Sequence, residues 1–234
     1  MLAKAPTPRA GAGLSLSQIQ SVLRRAGRQR NVERRASEIQ TVLRSVQLHQ
    51  PDAVADAFAA TTTAMVGIIG EVNRQLDLLE TALSDRLSQH PDAAIYRSLP
   101  GFGVVLSARA LGEFGDDPDR YTNSKARRNY AGTSPRTIAS GKKKAVLARH
   151  VKNNRLYDAL DQAAFCSLTV SRGCRLFYDE RRTAGVLPPQ ALRALANHLV
   201  SYLHGCLTSH TPYDEDTAWA HRYPTADQET KQAA

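Results

Sequence analysis

The stretch SLPGFGVVLSARALGEFGD, residues 98–116, decides how the second half of this chain is read. Pro100-Gly101 stops one apolar helical pattern, because proline restricts the residue before it and glycine accepts backbone angles that other residues resist. Gly103 then leads into a second helical pattern, and Gly115 stands where a C-terminal cap is expected. No strand pattern precedes the glycines, so this is no nucleotide-binding crossover. Helix, tight turn, helix is the form of a helix-hairpin-helix, a clamp that offers free helical N–H groups to a DNA phosphate. Gly101 and Gly103 are therefore candidate backbone-contact positions. The plainer reading is an ordinary helical turn with a glycine stop.

Apolar residues continue at helical spacing on both sides of this stretch. Upstream, SLSQIQSVLRRAGRQR opens a helix that Ser15 or Ser17 can cap, and a second run follows from Val32 to Val46. A long helix is expected from about Asp52 to Gln89. Its apolar positions Met65, Ile69, Val72, Leu76, Leu79, Leu83 and Leu87 step by four and three until a final four, the seam of a coiled coil. The partner of that seam is either a second copy or the preceding helix of the same chain. Downstream, SKARRNYAG reads as a short helix capped by Ser124 and closed by Gly132. A polar, basic connection with room for a short hairpin follows, then three more helices ending near His210. The fold class is all-α: a long coiled-coil arm, then a compact helical domain containing the helix-hairpin-helix. The divisions are a flexible segment 1–13, a coiled-coil region 14–90, a helical domain 91–212 and a loose polar tail 213–234.

Composition narrows the function. The 234 residues are 42% hydrophobic and carry a net charge of +9. This is a globular chain whose expected partner is a polyanion, nucleic acid before membrane. The best apolar run, AMVGIIGEV, is broken by Glu71, so no membrane span is expected. Cys166, Cys174 and Cys206 are odd in number and lack CxxC spacing, and read as buried thiols of a reducing, cytoplasmic compartment. The basic residues concentrate in one segment. Lys125, Arg127, Arg128, Arg136, Lys142, Lys143, Lys144, Arg149, Lys152 and Arg155 form an electrostatic footprint for phosphates, with few acids among them. Inside it lies ASGKKK. Read alone, Ser140-Gly141 is a turn, and no base stands at a diagnostic spacing to activate the serine.

Taken together, HPDAAIYRSLPGFGVVLSARALGEFGDDPDRY, KARRNYAGTSPRTIASGKKK and NNRLYDALDQAAF, with TPYDE near the end, resemble the C-terminal domain of insertion-sequence transposases that carry a RuvC-like DEDD domain, the bridge-RNA-guided recombinases. The resemblance runs from about Pro8 to Ala220. It implies that Ser140 is the nucleophile on a DNA phosphodiester, that the coiled coil joins subunits into a homo-oligomer, and that a structured guide RNA selects DNA by base pairing. Arg127, Arg128, Arg136, Lys142, Lys143, Lys144 and Arg149 would then contact nucleic acid. The family's four metal-binding carboxylates belong to the RuvC-like domain, which this sequence does not contain. No metal or cofactor is expected here, with Mg2+ only in that other domain. The chain reads as a truncated transposase, inactive alone.

Two rival readings remain open. One is a non-catalytic DNA- or RNA-binding module that regulates an intact transposase. The other is a tyrosine-type recombinase using Tyr130 or Tyr157, for which the expected Arg-His-Arg set is not evident. The acids of DDPD and EDTAWAH lack a strand context and read as structural or solvated.

Overall fold

A computed structural model describes residues 1–46, 50–140 and 143–223, with the side chains of 143–146 outside the description. The described chain is helical apart from one hairpin, in agreement with the all-α reading. It divides into two compact units, Met1–Leu79 and the chain from Glu80 on.

The first unit begins with α1 (Pro8–Ala12), where a flexible segment was expected. Gly11 is buried there, and a Cβ on it would lie 3.1 Å from Leu43. α2 (Leu16–Arg25) starts at Ser15, which accepts from Gln18 N while the Gln18 side chain accepts from Ser15 N. This reciprocal pair satisfies two of the N–H groups that every helix start leaves open. α3 (Val32–Arg44) packs on α1 and α2, and Leu14, Ile19 and Ala36 form a small buried core. Gln40 Nε2 and Arg44 Nε tie α3 back to the carbonyls of Leu14 and Ala12.

α4 (Asp52–Ser88) runs for 37 residues, about 55 Å. Its seam is open to solvent, with Met65, Ile69, Val72, Leu76 and Leu79 all more than half exposed. The intrachain hairpin with α3 is not what covers it, since α3 spends its apolar face on α1 and α2. α4 also contains an 18-residue window of mean hydropathy 1.5 with at most two charges. That meets the length and composition of a membrane span and corrects the expectation that no such run exists. One helix passing that test is weak ground for a membrane.

The second unit is built around α8 (Asn154–Val170), which packs against α6 (Val104–Phe114), α9 (Arg172–Thr183) and α10 (Pro188–Ser209). α5 (Ala93–Ser98) precedes α6, and α7 (Ser124–Ala131) packs on α10. Phe114, Leu156, Leu160, Phe177, Leu195, Leu199 and Leu203 are fully buried between them. The strands β1 (Arg136–Ser140) and β2 (Lys143–Leu147) form an antiparallel ribbon between α7 and α8. α7 is capped by Asn123, whose Oδ1 accepts from Ala126 N, and not by Ser124.

The segment from Tyr213, read as a loose tail, is docked as far as it is described. α11 (Glu215–Trp219) places Trp219 fully inside the core, its ring against Gly173 and 6.0 Å from Phe177. The thiols also differ from expectation, because only Cys174 is buried while Cys206 is half-buried and Cys166 exposed.

Candidate nucleic-acid interface

The glycine turn comes first. α5 and α6 are joined by residues 99–103, so helix, turn and helix follow one another as the pattern demands. Gly101 has φ +82, and a Cβ there would stand 2.1 Å from Ala163 O and 2.7 Å from Ser167 N. The turn therefore presses against the backbone of α8, and Gly101 is required by that close approach. Gly103 differs: φ is −73, it is exposed, and a Cβ would meet nothing within 4 Å. As the N-cap of α6 it makes no side-chain cap.

The pieces GEFG, RNYAG and NNR converge on one hydrogen-bonded network. Tyr130 Oη donates to Glu113 O at 3.1 Å and accepts from Arg120 Nη2 at 3.2 Å and Asn153 Nδ2 at 3.4 Å. Asn153 Nδ2 also donates to Glu113 Oε2 at 2.6 Å. Tyr130 is thereby committed to structure. Tyr157 is half-buried, and burial pushes its phenol up, the wrong direction for a nucleophile.

Arg127 faces inward. It is 5% exposed, with its guanidinium 4.6 Å from the Tyr121 ring and 5.2 Å from the Phe114 ring. Nε and Nη1 are buried without hydrogen-bond partners, and the charge is held by the rings together with a hydrogen bond to the Tyr96 hydroxyl. Its neighbour Arg128 is half-exposed and only reaches Ser124 O. Gly132, in the left-handed conformation at φ +73, ends α7 against the Lys152 side chain, which itself lies 3.6 Å over the Tyr157 ring.

The ribbon follows. Arg136 pairs in register with Leu147, and Ser140, at the end of β1, with Lys143. Arg136 and Ser140 are exposed. Among the described residues Ser140 Oγ makes no hydrogen bond, so no base is in place to take its proton. Arg149, just past β2, donates from Nη2 to Asn129 Oδ1 at 3.0 Å, with Nε buried and unpaired. Lys142 and the side chains of Lys143 and Lys144 lie outside the described residues. The structure thus brings Ser140 and Arg136 onto one strand, with Arg149 following its partner. It puts Arg127 in the core and the glycine turn against α8.

The acids fit no metal. Among the described residues no group of three or more His, Cys, Asp or Glu side chains converges. The Glu215 carboxylate is filled by protein donors: Ser171 Oγ at 2.8 Å, Gly173 N at 2.9 Å, Tyr213 Oη at 2.8 Å and Tyr223 Oη at 3.0 Å. It sits at the start of α9, where the helix dipole favours an anion. Burial works to raise its pKa, but the donors from Gly173, Ser171, Tyr213 and Tyr223 together hold it below the usual value. Asp117 accepts from Asp119 N and starts the turn of DDPD. These acids are structural, as the sequence suggested.

Sequence reasoning missed Asn197. Its Oδ1 accepts from Thr133 Oγ1 at 3.2 Å and Ser134 Oγ at 3.4 Å, fixing the turn that delivers the chain into β1. An asparagine within a regular leucine-spaced helix gives no signal for such a partner 64 residues away.

Comparison with known proteins falls on the same segment. Residues 93–179 match the model of the transposase IS116/IS110/IS902 family. The matched stretch holds the glycine turn, the Tyr130 network, the ribbon with Ser140, and α8. The chain is 38% identical, over 94% of its length, to the protein assigned as the mini-circle transposase for IS117 in Streptomyces coelicolor, and covers 53% of that protein. It is 30% identical over 70% of its length to the uncharacterized 43.6 kDa protein of insertion element IS110 of the same organism, covering 38% of it. To the uncharacterized 42 kDa protein of IS900 of Mycobacterium paratuberculosis it is 29% identical over 65%, covering 40%. The chain thus spans about half the length, or less, of the curated relatives it matches.

Proposed function

We propose that this chain is part of a cytoplasmic DNA transposase, that it binds nucleic-acid backbone, and that it presents Ser140 as the nucleophile of strand exchange. The observation that carries the reading is the ribbon. Within the segment similar to a transposase family, it holds an exposed serine at one end of β1, with Arg136 at the other end of the same strand. In the step proposed, Ser140 Oγ forms a bond to phosphorus while the bond to the leaving nucleotide oxygen breaks. The serine proton leaves to a base and the departing oxygen gains one. Neighbouring cations stabilise the charge gathered on the phosphate oxygens. The Ser140 surroundings supply no base, so that group comes from outside this chain's described residues. A RuvC-like partner domain, a structured guide RNA and a homo-oligomer joined through α4 belong to the same proposal.

The test is strand exchange by the intact transposase carrying Ser140→Ala. Activity should vanish while anisotropy shows unchanged DNA affinity; normal recombination by that variant removes Ser140 from the mechanism. The missing base also favours a second reading, a binding module without chemistry. That reading holds if this chain binds nucleic acid and Ser140→Ala costs the intact enzyme nothing.

A further inference from the structure

Residues 133–135 join α7 to β1, and a cleft of about 340 Å³ opens beside them. Thr133 and Pro135 form one wall. Arg181 from α9 and Gln190, Arg193, Asn197 and His198 from α10 form the other. No lining residue is a carboxylate. Arg181 and Arg193 form no ion pair among the described residues. Arg193 instead reaches the Tyr157 hydroxyl, and Arg181 lies 5.2 Å from the Phe177 ring.

The imidazole of His198 packs 4.7 Å from Phe177 at one end of this cleft. Burial, then the charges of Arg222, Arg181, Arg128 and His221, hold its pKa down at about 4. The ring is neutral at pH 7 because burial, and after it the surrounding positive charge, disfavours imidazolium. With Asn197 Oδ1 committed to Thr133 and Ser134, its NH2 is left without a partner among the described residues. Uncompensated guanidinium forks, with amide donors beside them, match the oxygens of a phosphodiester. The wall at Pro135 continues directly into Arg136 and the strand that ends in Ser140.

We infer that this cleft seats a backbone phosphodiester of the nucleic-acid strand that the ribbon engages, gripped by Arg181 and Arg193 with Gln190 and Asn197 donating beside them. The inference rests on the nucleic-acid reading above and adds a second phosphate position, beside Arg136, to the one proposed at Ser140.

The test is fluorescence anisotropy of the full chain with a labelled DNA duplex and a labelled RNA hairpin over a salt series, comparing Arg181→Ala, Gln190→Glu and the ribbon variant Arg136→Ala. Both cleft variants should bind about tenfold more weakly, and Arg181→Ala should flatten the slope of log affinity against log salt by about one. Their melting temperatures should stay at the wild-type value. Gln190 is exposed, so Gln190→Glu keeps the test alive should Arg181→Ala misfold. The His198 ring signal in proton NMR should titrate at higher pH once the oligonucleotide is bound, because the phosphate favours imidazolium. The DNA and RNA arms show which strand occupies the cleft. If the cleft variants bind like wild type while Arg136→Ala is weakened, the cleft is not a phosphate site and the nucleic-acid reading stands. If the wild-type chain binds neither nucleic acid at low salt, both fall together.

Discussion

At the scale of the residue, two glycines of one turn carry different burdens. Gly101→Ala would force a left-handed backbone on an alanine and drive its Cβ into the α8 carbonyl of Ala163. A loss of more than about 3 kcal/mol is expected in chemical denaturation. Gly103→Ala should change stability by less than about 0.5 kcal/mol, since its backbone is ordinary and its surroundings empty. Any fall in DNA affinity in that second variant would mark the amides of α6 as a phosphate contact. Sequence alone could not separate the two, because each sits in the same Pro-Gly-Phe-Gly and the α8 backbone that decides the matter lies some sixty residues on. Arg127 shows the same limit. One residue from the half-exposed Arg128 in a basic run, it is distinguished only by rings of Phe114 and Tyr121 that tertiary packing brings over it.

Titration belongs to the same scale. His198 has its pKa lowered from an unfolded value near 6.5 to about 4. Between those values the unfolded chain binds the extra proton, so stability falls as pH drops through that window. Glu215, held below its ordinary value, adds a loss of the same sign at more acid pH. The melting temperature should therefore decline from pH 7 to pH 5. His198→Gln should show a shallower decline there, and an unchanged profile would contradict the buried, neutral state of the ring.

At the scale of the element, helices were legible because each carries its own periodicity and its own stop. α2, α3, α8, α9 and α10 all fall where apolar residues recur at helical spacing, and α2 starts at Ser15. The ribbon was only an allowance in a basic connection, since a five-residue strand with every side chain exposed, as in β1, leaves no alternation to read. The seam of α4 was legible as a seam, and its exposure makes a second copy the expected cover. Ile69→Asp and Leu76→Asp together should shift the chain to a smaller species in sedimentation velocity, with its helical circular dichroism largely kept. The same mass before and after would remove α4 from the assembly. α11 was missed because its five residues carry one apolar anchor, too little for a periodic signal, and its stability comes from partners elsewhere. Trp219→Ala should cost about 3–5 kcal/mol by opening a cavity over Gly173.

At the scale of the whole molecule, the excess of 31 Lys and Arg over 22 Asp and Glu is not spread evenly. It gathers in two stretches, the first fifty residues and the sequence of α7, the ribbon and the start of α8, and the second of these lies within the match to the transposase family model. Composition pointed to a polyanion as the partner to test but could not show that α11, late in the chain, closes the core. Tyr213 N donates to Ser98 Oγ across 115 residues, and Trp219 lies under the helices between them. A ribosome adding roughly 10 residues per second would make the first of these groups more than ten seconds before the second. Until then the hydrophobic helices of a nascent chain stand together without their keystone. Completion of this domain thus waits until residues 213–219 have been made, and a chain cut short before Tyr213 has its core unsealed and open to proteolysis.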